Sequence, residues 1–403
     1  MADQREFKIG VLAGDGIGPE ITDATIEVLH AATERTGLKL RLRHCLVGWK
    51  AREQEGTLLS EATEQTLRAS DGWIMGPTFA GEYPKDDHTN GHPSGYLRRI
   101  FKLFANVRPV RSWPQLDPLI PDLDVTIIRE NTEGFYPDRN LAWGYGEFKP
   151  TDDVALSLRV ITGVACDCFA RFSLDYAAAQ GESVLHIAHK RTALPQTEAL
   201  FIGAFEKLSS EYPTITLNPL RVDTFSSSFP RRHKEFRLVA TTNLFGDILS
   251  DQASGLAGGV GLAPSLNAGN DHAMAQAVHG TAPDIADKGL ANPAALILST
   301  AQLLDWLYQR TREPACRTTA QQLQHGVEGA IGDGTRTAVL GGSAAAAQSC
   351  QFHTGPFAGC RPATFTERRP ALDRSRERIR WLQARAAPGA HSLSCPSSDR
   401  RVG

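Results

Sequence analysis

The residues with the most chemical potential stand in Asn243-Leu-Phe-Gly-Asp-Ile-Leu-Ser-Asp251, where Asp247 and Asp251 are four positions apart. On a helix that spacing projects both carboxylates from one face. Two like charges repel there, so the pair is either a solvated edge or part of a ligand set for a hard divalent cation, which turns the repulsion into oxygen ligation. Three arginines precede it: Arg98 in Tyr96-Leu-Arg-Arg99, Arg108 in Ala105-Asn-Val-Arg-Pro109, and Arg129 in Ile128-Arg-Glu-Asn-Thr-Glu-Gly-Phe-Tyr136. Planar guanidinium groups bind carboxylates bidentately, so converging arginines suit a substrate with two or three carboxylates. Arg98 and Arg99 by themselves read as surface charge. Arg129 ends an apolar strand, the place where ligand sites of open α/β sheets gather.

These groups need elements to position them, and the hydrophobic pattern supplies an alternation. Strand-like Lys8 to Leu12 is followed by helical Ile21 to Thr36, strand-like Leu38 to Leu46, helical Ser60 to Ala69 and strand-like Gly72 to Met75. Further strands are expected at Val125 to Arg129, Ser183 to His189 and Arg237 to Thr242, and Ala294 to Gln309 carries an apolar helical stripe after the glycine-rich segment Ser254 to Gly261. The alternation argues for an α/β architecture with strands wrapped by helices. Gly14-Asp-Gly-Ile-Gly-Pro-Glu20 follows a strand and precedes a helix, but its spacing is not the GxGxxG of a dinucleotide fingerprint. A tight strand-to-helix turn with Pro19 in the first helical turn accounts for it.

Composition narrows the function classes. The chain has 403 residues, 43 Lys+Arg against 45 Asp+Glu and a formal charge of −2, which calls for neither nucleic acid nor an anionic membrane. No apolar run is long enough to span a bilayer and no signal-like core follows the start, so a cytoplasmic location is expected. The seven cysteines are odd in number and scattered, which reads as reduced thiols. From about Gln348 the text turns rich in Arg, Pro and Ser, the composition of a disordered tail.

Taken in order, GDGIGPE from Gly14, FANVRP from Phe104, IIRENTEGFY from Ile127, LHIAHK from Leu185, NLFGDILSDQASGLAGGVGLAPSLN from Asn243 and HGTAPDIADKGLANP from His279 resemble the β-decarboxylating dehydrogenases over roughly residues 6 to 345. That family comprises isocitrate, homoisocitrate and isopropylmalate dehydrogenases. The resemblance implies an α/β subunit of two domains without a Rossmann domain, working as a homodimer with shared active sites. The large cofactor-side domain would be 1–103 with 258–347, the smaller domain with the dimer interface and metal ligands 104–257, and the tail 348–403.

The resemblance also implies roles. Arg98, Arg108 and Arg129 would hold the carboxylates of a 3-substituted (2R)-malate, Tyr136 would be the catalytic tyrosine, and Lys190 the lysine reaching across the dimer interface. Asp247 and Asp251 of one subunit, with Asp223 of the other, would ligate Mg²⁺ or Mn²⁺. His279, Gly280, Thr281, Ala282, Asp284, Ile285 and Asn292 would line the dinucleotide, with Asp284 accepting from the adenosine ribose and repelling a 2′-phosphate, which favours NAD. The implied reaction is oxidation and decarboxylation of a small di- or tricarboxylic 2-hydroxy acid; the alternatives are a tartrate or D-malate dehydrogenase and a silent regulatory subunit. Thr192 and Gln276 stand where the family more often has asparagine and glutamate. The segment Gly91 to Arg98 lacks both the apolar pair suited to an isopropyl group and the Ser-x-Asn of many isocitrate enzymes; YLRR and LHIAHK are most similar to homoisocitrate dehydrogenases.

Overall fold

The structure, a computed structural model, describes residues 5–79, 82–136, 146–335, 337, 340 and 342. The expected alternation is present, with more elements than periodicity revealed. The chain runs β1 (Glu6–Leu12), α1 (Gly18–Thr36), β2 (Lys39–Cys45), α2 (Trp49–Glu55), α3 (Glu61–Arg68), β3 (Gly72–Met75) and α4 (Pro93–Ile100). It continues through β4 (Ala105–Arg111), β5 (Asp124–Glu130), β6 (Glu147–Thr151), β7 (Val154–Ser157), α5 (Gly163–Gln180), β8 (Val184–His189), α6 (Pro195–Leu208), β9 (Thr216–Arg221), α7 (Val222–Arg232), β10 (Leu238–Thr241) and α8 (Asn243–Ala257). β11 (Leu266–Ala268), β12 (Ala273–Ala275), α9 (Ala294–Thr311) and α10 (Pro314–Gly332) follow.

Ten strands form one sheet in the order β2-β1-β3-β12-β11-β4-β5-β10-β8-β9. Strands from before residue 104 and after 257 fill one half, and those from 104–257 fill the other. The outer strands of each half run parallel, whereas β12-β11, β11-β4 and β4-β5 are antiparallel. β6 and β7 stand apart as a two-stranded hairpin with every residue exposed.

Two contacts explain why helices approach the sheet where they do. Gly16, at φ 58°, lies so close to the Thr281 carbonyl that a Cβ would sit 2.2 Å from its oxygen. Ile17 N–H donates to that same carbonyl at 2.9 Å, so the GDGIG turn is a fastening between the two ends of one half-sheet. Gly246 does the same for α8: a Cβ there would meet the Arg129 Cβ and Cγ at 2.6 Å. The buried stripe of α8, Gly246, Leu249, Ser250, Ala253 and Ala257, is mostly small, and it lets the helix lie close over β5.

α8 extends to Ala257, further into the glycine-rich segment than the sequence break suggests, and stops where Gly258 and Gly259 take φ of 121° and 116°. α9 has the expected apolar stripe, with Leu296, Leu303, Leu304 and Leu307 nearly fully buried. Cys45, Cys166 and Cys316 are free thiols. No described helix is long and apolar enough to cross a membrane. The expected tail, 348–403, lies outside the described residues.

Candidate active site

Five of the predicted side chains meet over the C-terminal part of β5. The Arg129 side chain, almost fully buried, donates to Asp247 through Nη1 and to Asn243 Oδ1 through Nε and Nη2 at 3.0 and 2.7 Å. Arg108, on the neighbouring strand β4, is also buried; its Nη2 lies 3.2 Å from Asp247 and its Nη1 3.4 Å from Asp251. The Tyr136 hydroxyl donates to the second Asp247 oxygen at 2.5 Å, and the Arg129 guanidinium lies 5.2 Å from the tyrosine ring centre. Asp247 and Asp251 do project from one helix face, and their carboxylates stay open to solvent on one side, at 35% and 55% exposure.

The two carboxylates experience this cluster differently. Burial works to raise the Asp247 carboxyl, but Arg129, Arg108 and the Tyr136 hydroxyl together outweigh it and hold its pKa below the ordinary value. At Asp251, burial with the added repulsion of Asp247 outweighs Arg108, and the pKa is raised. Burial, then the charge of Arg129, loosens the proton on Arg108, although a guanidinium remains charged in any aqueous range. Two arginines thus already saturate Asp247, while Asp251 carries excess negative charge with weaker compensation.

Arg98, on α4, reaches the same region. Its Nη2 donates to Gln276 Oε1 at 2.9 Å and its Nη1 to Asn131 Oδ1 at 3.4 Å. Ser94, one turn earlier, donates to that same Gln276 oxygen at 3.0 Å. The wall beside Arg98 is therefore polar and buried.

Lys190 and Asp223 are elsewhere. They follow the ends of the paired strands β8 and β9, the latter at the edge of the sheet, bonded to each other at 2.8 Å, with side chains 33% and 49% exposed. Lys190 opens a turn whose carbonyl accepts from Ala193 and Leu194; Thr192 within it is exposed. Among the described residues of one chain, no group of three or more acidic, histidine or cysteine side chains is placed to hold a metal.

The dinucleotide candidates occupy one loop after β12. Thr281 is tied to the GDGIG turn as above. His279 Nδ1 lies 3.1 Å from the Gly280 carbonyl, and burial lowers the imidazole pKa. Asp284 is exposed, with Lys288 Nζ on its backbone oxygen at 2.6 Å and Ile285 half-buried beside it. Asn292 braces the loop: its Nδ2 donates to the Gly261 carbonyl and its Oδ1 accepts from Ala294 N–H, both at 3.1 Å. Residues that motif reading did not single out are Asn106, Asn131, Asn243 and Asn267, neutral amides that touch the arginines or one another; Asn243 alone could have been suspected, one helical turn before Asp247.

The chain's residues 8–354 match the model of the family described as isocitrate/isopropylmalate dehydrogenase. The chain belongs to that family. It is 37% identical over 338 residues to the 3-isopropylmalate dehydrogenase of Methanothermobacter thermautotrophicus, covering 84% of this chain and 94% of that protein. It is 36% identical over 347 residues to the isocitrate/homoisocitrate dehydrogenase of Thermus thermophilus, covering 84% and 95%. Among solved structures, isocitrate dehydrogenase from Methylococcus capsulatus superposes with a TM-score of 0.74 at 34% identity, covering 85% of this chain and 97% of that one. As a member of the isocitrate/isopropylmalate dehydrogenase family, the protein is an oxidoreductase acting on CH–OH groups.

Proposed function

We propose that the protein oxidises and decarboxylates a 3-substituted (2R)-malate with NAD and Mg²⁺ or Mn²⁺, as a homodimer whose two sites are each built from both subunits. The observation that carries this reading is the cluster of Arg108, Arg129, Tyr136 and Asp247 under α8. Arg98, Arg108 and Arg129 outnumber Asp247 and Asp251 there, which leaves positive charge for a di- or tricarboxylic acid. The polar wall of Ser94 and Gln276 beside Arg98 suits a C3 substituent that carries a carboxylate, as in isocitrate or homoisocitrate, better than an isopropyl group.

The donor set fits a hard divalent ion: Asp247 and Asp251 project carboxylates from one helix face, Asp251 the more open of the two at 55% exposure and Asp247 held by Arg108, Arg129 and Tyr136. They are two ligands only, and Asp223 is not among them in its own chain. The third carboxylate is therefore assigned to Asp223 of the partner subunit. The ion would supply Lewis acidity toward the C2 oxygen and the charge that develops when CO₂ leaves. The chain's own groups do the rest. The arginines orient the acid. Lys190 of the partner subunit takes the hydroxyl proton, and Tyr136, whose hydroxyl already lies against Asp247, returns a proton to the decarboxylated carbon.

Two features support the dimer. Phe148, Val154, Leu156 and Leu158 on and beside the β6-β7 hairpin are 40% to 49% exposed, and Ile248, between the two carboxylates of α8, is 59% exposed. A lone two-stranded hairpin is marginal in water, and clustered apolar exposure of this kind marks an interface. The two half-sheets would be the cofactor-side and interface-side domains. NAD is assigned on the exposed Asp284 carboxylate, which suits ribose hydroxyls and repels a 2′-phosphate.

The test is dinucleotide reduction by purified protein with Mn²⁺ against isocitrate, homoisocitrate, isopropylmalate, D-malate and tartrate. Turnover of a 3-substituted malate with NAD, lost in excess chelator, is expected. Turnover restricted to D-malate or tartrate would contradict the substrate class, and no turnover with any acid would favour a silent subunit.

A further inference from the structure

A row of amides runs beneath the arginines. Asn267 of β11 is in register with Asn106 of β4, which is in register with Arg129 of β5. Asn267 Oδ1 accepts from Asn106 Nδ2 and from Asn131 Nδ2, each at 3.0 Å. Asn106 Oδ1 in turn accepts from Arg108 Nε at 2.5 Å, and Asn131 Oδ1 from Arg98 Nη1 at 3.4 Å. All three asparagines are fully buried. Arg98 and Arg108, on a helix and a strand that do not follow one another in the sheet, are thus joined through a single side-chain oxygen.

We propose that Asn267 is a positioning residue that fixes the spacing of Arg98 and Arg108, and through it the fit of the substrate's carboxylates. The inference rests on the reading of these arginines as the grip on the acid. Its physical basis is directional. A guanidinium only donates, so Asn106 and Asn131 must turn their oxygens toward the arginines and their N–H₂ groups toward Asn267. Asn267 must then present its oxygen to both, and its own N–H₂ faces the Met274 carbonyl at 3.3 Å. Each N–H₂ also has a second acceptor, Ser265 Oγ at 2.7 Å for Asn106 and the Leu103 carbonyl at 2.9 Å for Asn131, so the orientations are fixed from both sides, and a lone break at Asn267 takes from each amide the acceptor that the two share. The amides are also neutral. They hold the guanidinium groups without adding to the negative charge that Asp247 and Asp251 already bring to Arg108.

The test compares Asn267→Leu with Asn267→Asp, reading KM for the acid separately from KM for NAD and from kcat. The acid is whichever of isocitrate, homoisocitrate and isopropylmalate the wild type oxidises. Leucine keeps the volume and loses the acceptor; aspartate keeps the acceptor and strains the burial. If Asn267 positions the arginines, leucine raises KM for the acid at least about tenfold, the worth of one hydrogen bond to a charged group, while KM for NAD stays within about twofold and aspartate keeps KM for the acid within about threefold. A packing role predicts the reverse order, with leucine tolerated and the buried charge harmful. Unchanged KM for the acid in a folded leucine variant overturns the inference. Should leucine not fold, Asn267→Ala is judged by the same criterion. If neither folds, the aspartate variant decides: KM for the acid within about threefold supports the positioning role, and a rise beyond about tenfold overturns it. A wild type that oxidises none of the three acids sinks the reading of the arginines, and this inference with it, which is a different outcome from an indifferent leucine variant.

Discussion

The arginine-carboxylate cluster under α8 and the Lys190–Asp223 pair are made of the same kinds of group in opposite settings. In the cluster, Arg108 and Arg129 are buried and Asp247 is contacted by both arginines and Tyr136. In the pair, one exposed cation meets one exposed anion at the edge of the sheet. An exposed pair contributes about 0–1 kcal/mol, so stability gives no reason for it. The contacts of the cluster close within one chain but bring only two carboxylates together, whereas among the described residues Lys190 and Asp223 lie away from it, with Arg221 beside Asp223. That contrast fits the proposed site shared between two subunits.

The largest expected effect comes from breaking the two regions separately. Asp247→Asn and Lys190→Met should each lower kcat/KM by at least about a hundredfold, on the scale of a lost catalytic metal or base. Only Asp247→Asn should cost appreciable stability, roughly 1–3 kcal/mol, because it leaves two buried guanidinium groups facing each other. Lys190→Met should leave Tm nearly unchanged. Comparable Tm losses in both variants, or full activity in either, would erase the distinction.

The loop proposed to hold the cofactor is likewise tied within one chain, since Ile17 N–H of the GDGIG turn donates to the Thr281 carbonyl. NAD should be preferred over NADP by about a hundredfold in kcat/KM, or roughly 2.7 kcal/mol of differential transition-state binding. Asp284→Lys combined with Ile285→Tyr should erode or invert that preference. Equal use of both dinucleotides by the wild type would remove Asp284 as the ribose reader.

The smallest effect concerns Glu133, which accepts from Thr162 N–H and Oγ1 at 2.8 and 2.6 Å. Burial, with Glu130 adding to it, pushes its carboxyl up to about 7. A raised folded-state pKa means that the native protein holds the proton more tightly than the unfolded chain. The contribution is therefore fully present below the unfolded value near 4.5 and is lost as pH rises through about 7. Glu133→Gln should flatten this fall in Tm between about pH 5 and 8, an effect on the order of 1–3 kcal/mol. An identical pH slope in wild type and variant would contradict it.

Much of the frame was legible because its signals are local. Apolar strand-like runs gave β1, β2, β3, β5, β8 and β10; segments of helical period gave α1, α3 and α9; Asp247 and Asp251 announced one helix face. β11 and β12 were not legible: each is three residues long, and Ala273-Met-Ala275 has none of the β-branched or aromatic residues that mark strands. The hairpin was missed because both of its faces are exposed, so Glu147 to Thr151 lacks alternation. Within the site, charge made the arginines and aspartates conspicuous. The asparagines that hold them were silent, because an amide's significance lies in which neighbour it faces, and that is set by the register of β11, β4 and β5.

The central claim, that each site draws on two chains, is tested most directly by mixing two inactive proteins. Lys190→Met subunits retain Asp247, and Asp247→Asn subunits retain Lys190, so one of the two sites in a hybrid dimer carries neither change. With free subunit exchange at equal amounts, half the dimers are hybrids, and activity should return to about a quarter of the wild-type value for a symmetric twofold assembly. Recovery toward that level, absent in either protein alone, is the predicted result. No recovery under conditions where exchange is shown by mass would contradict the shared site and return both regions to a single chain.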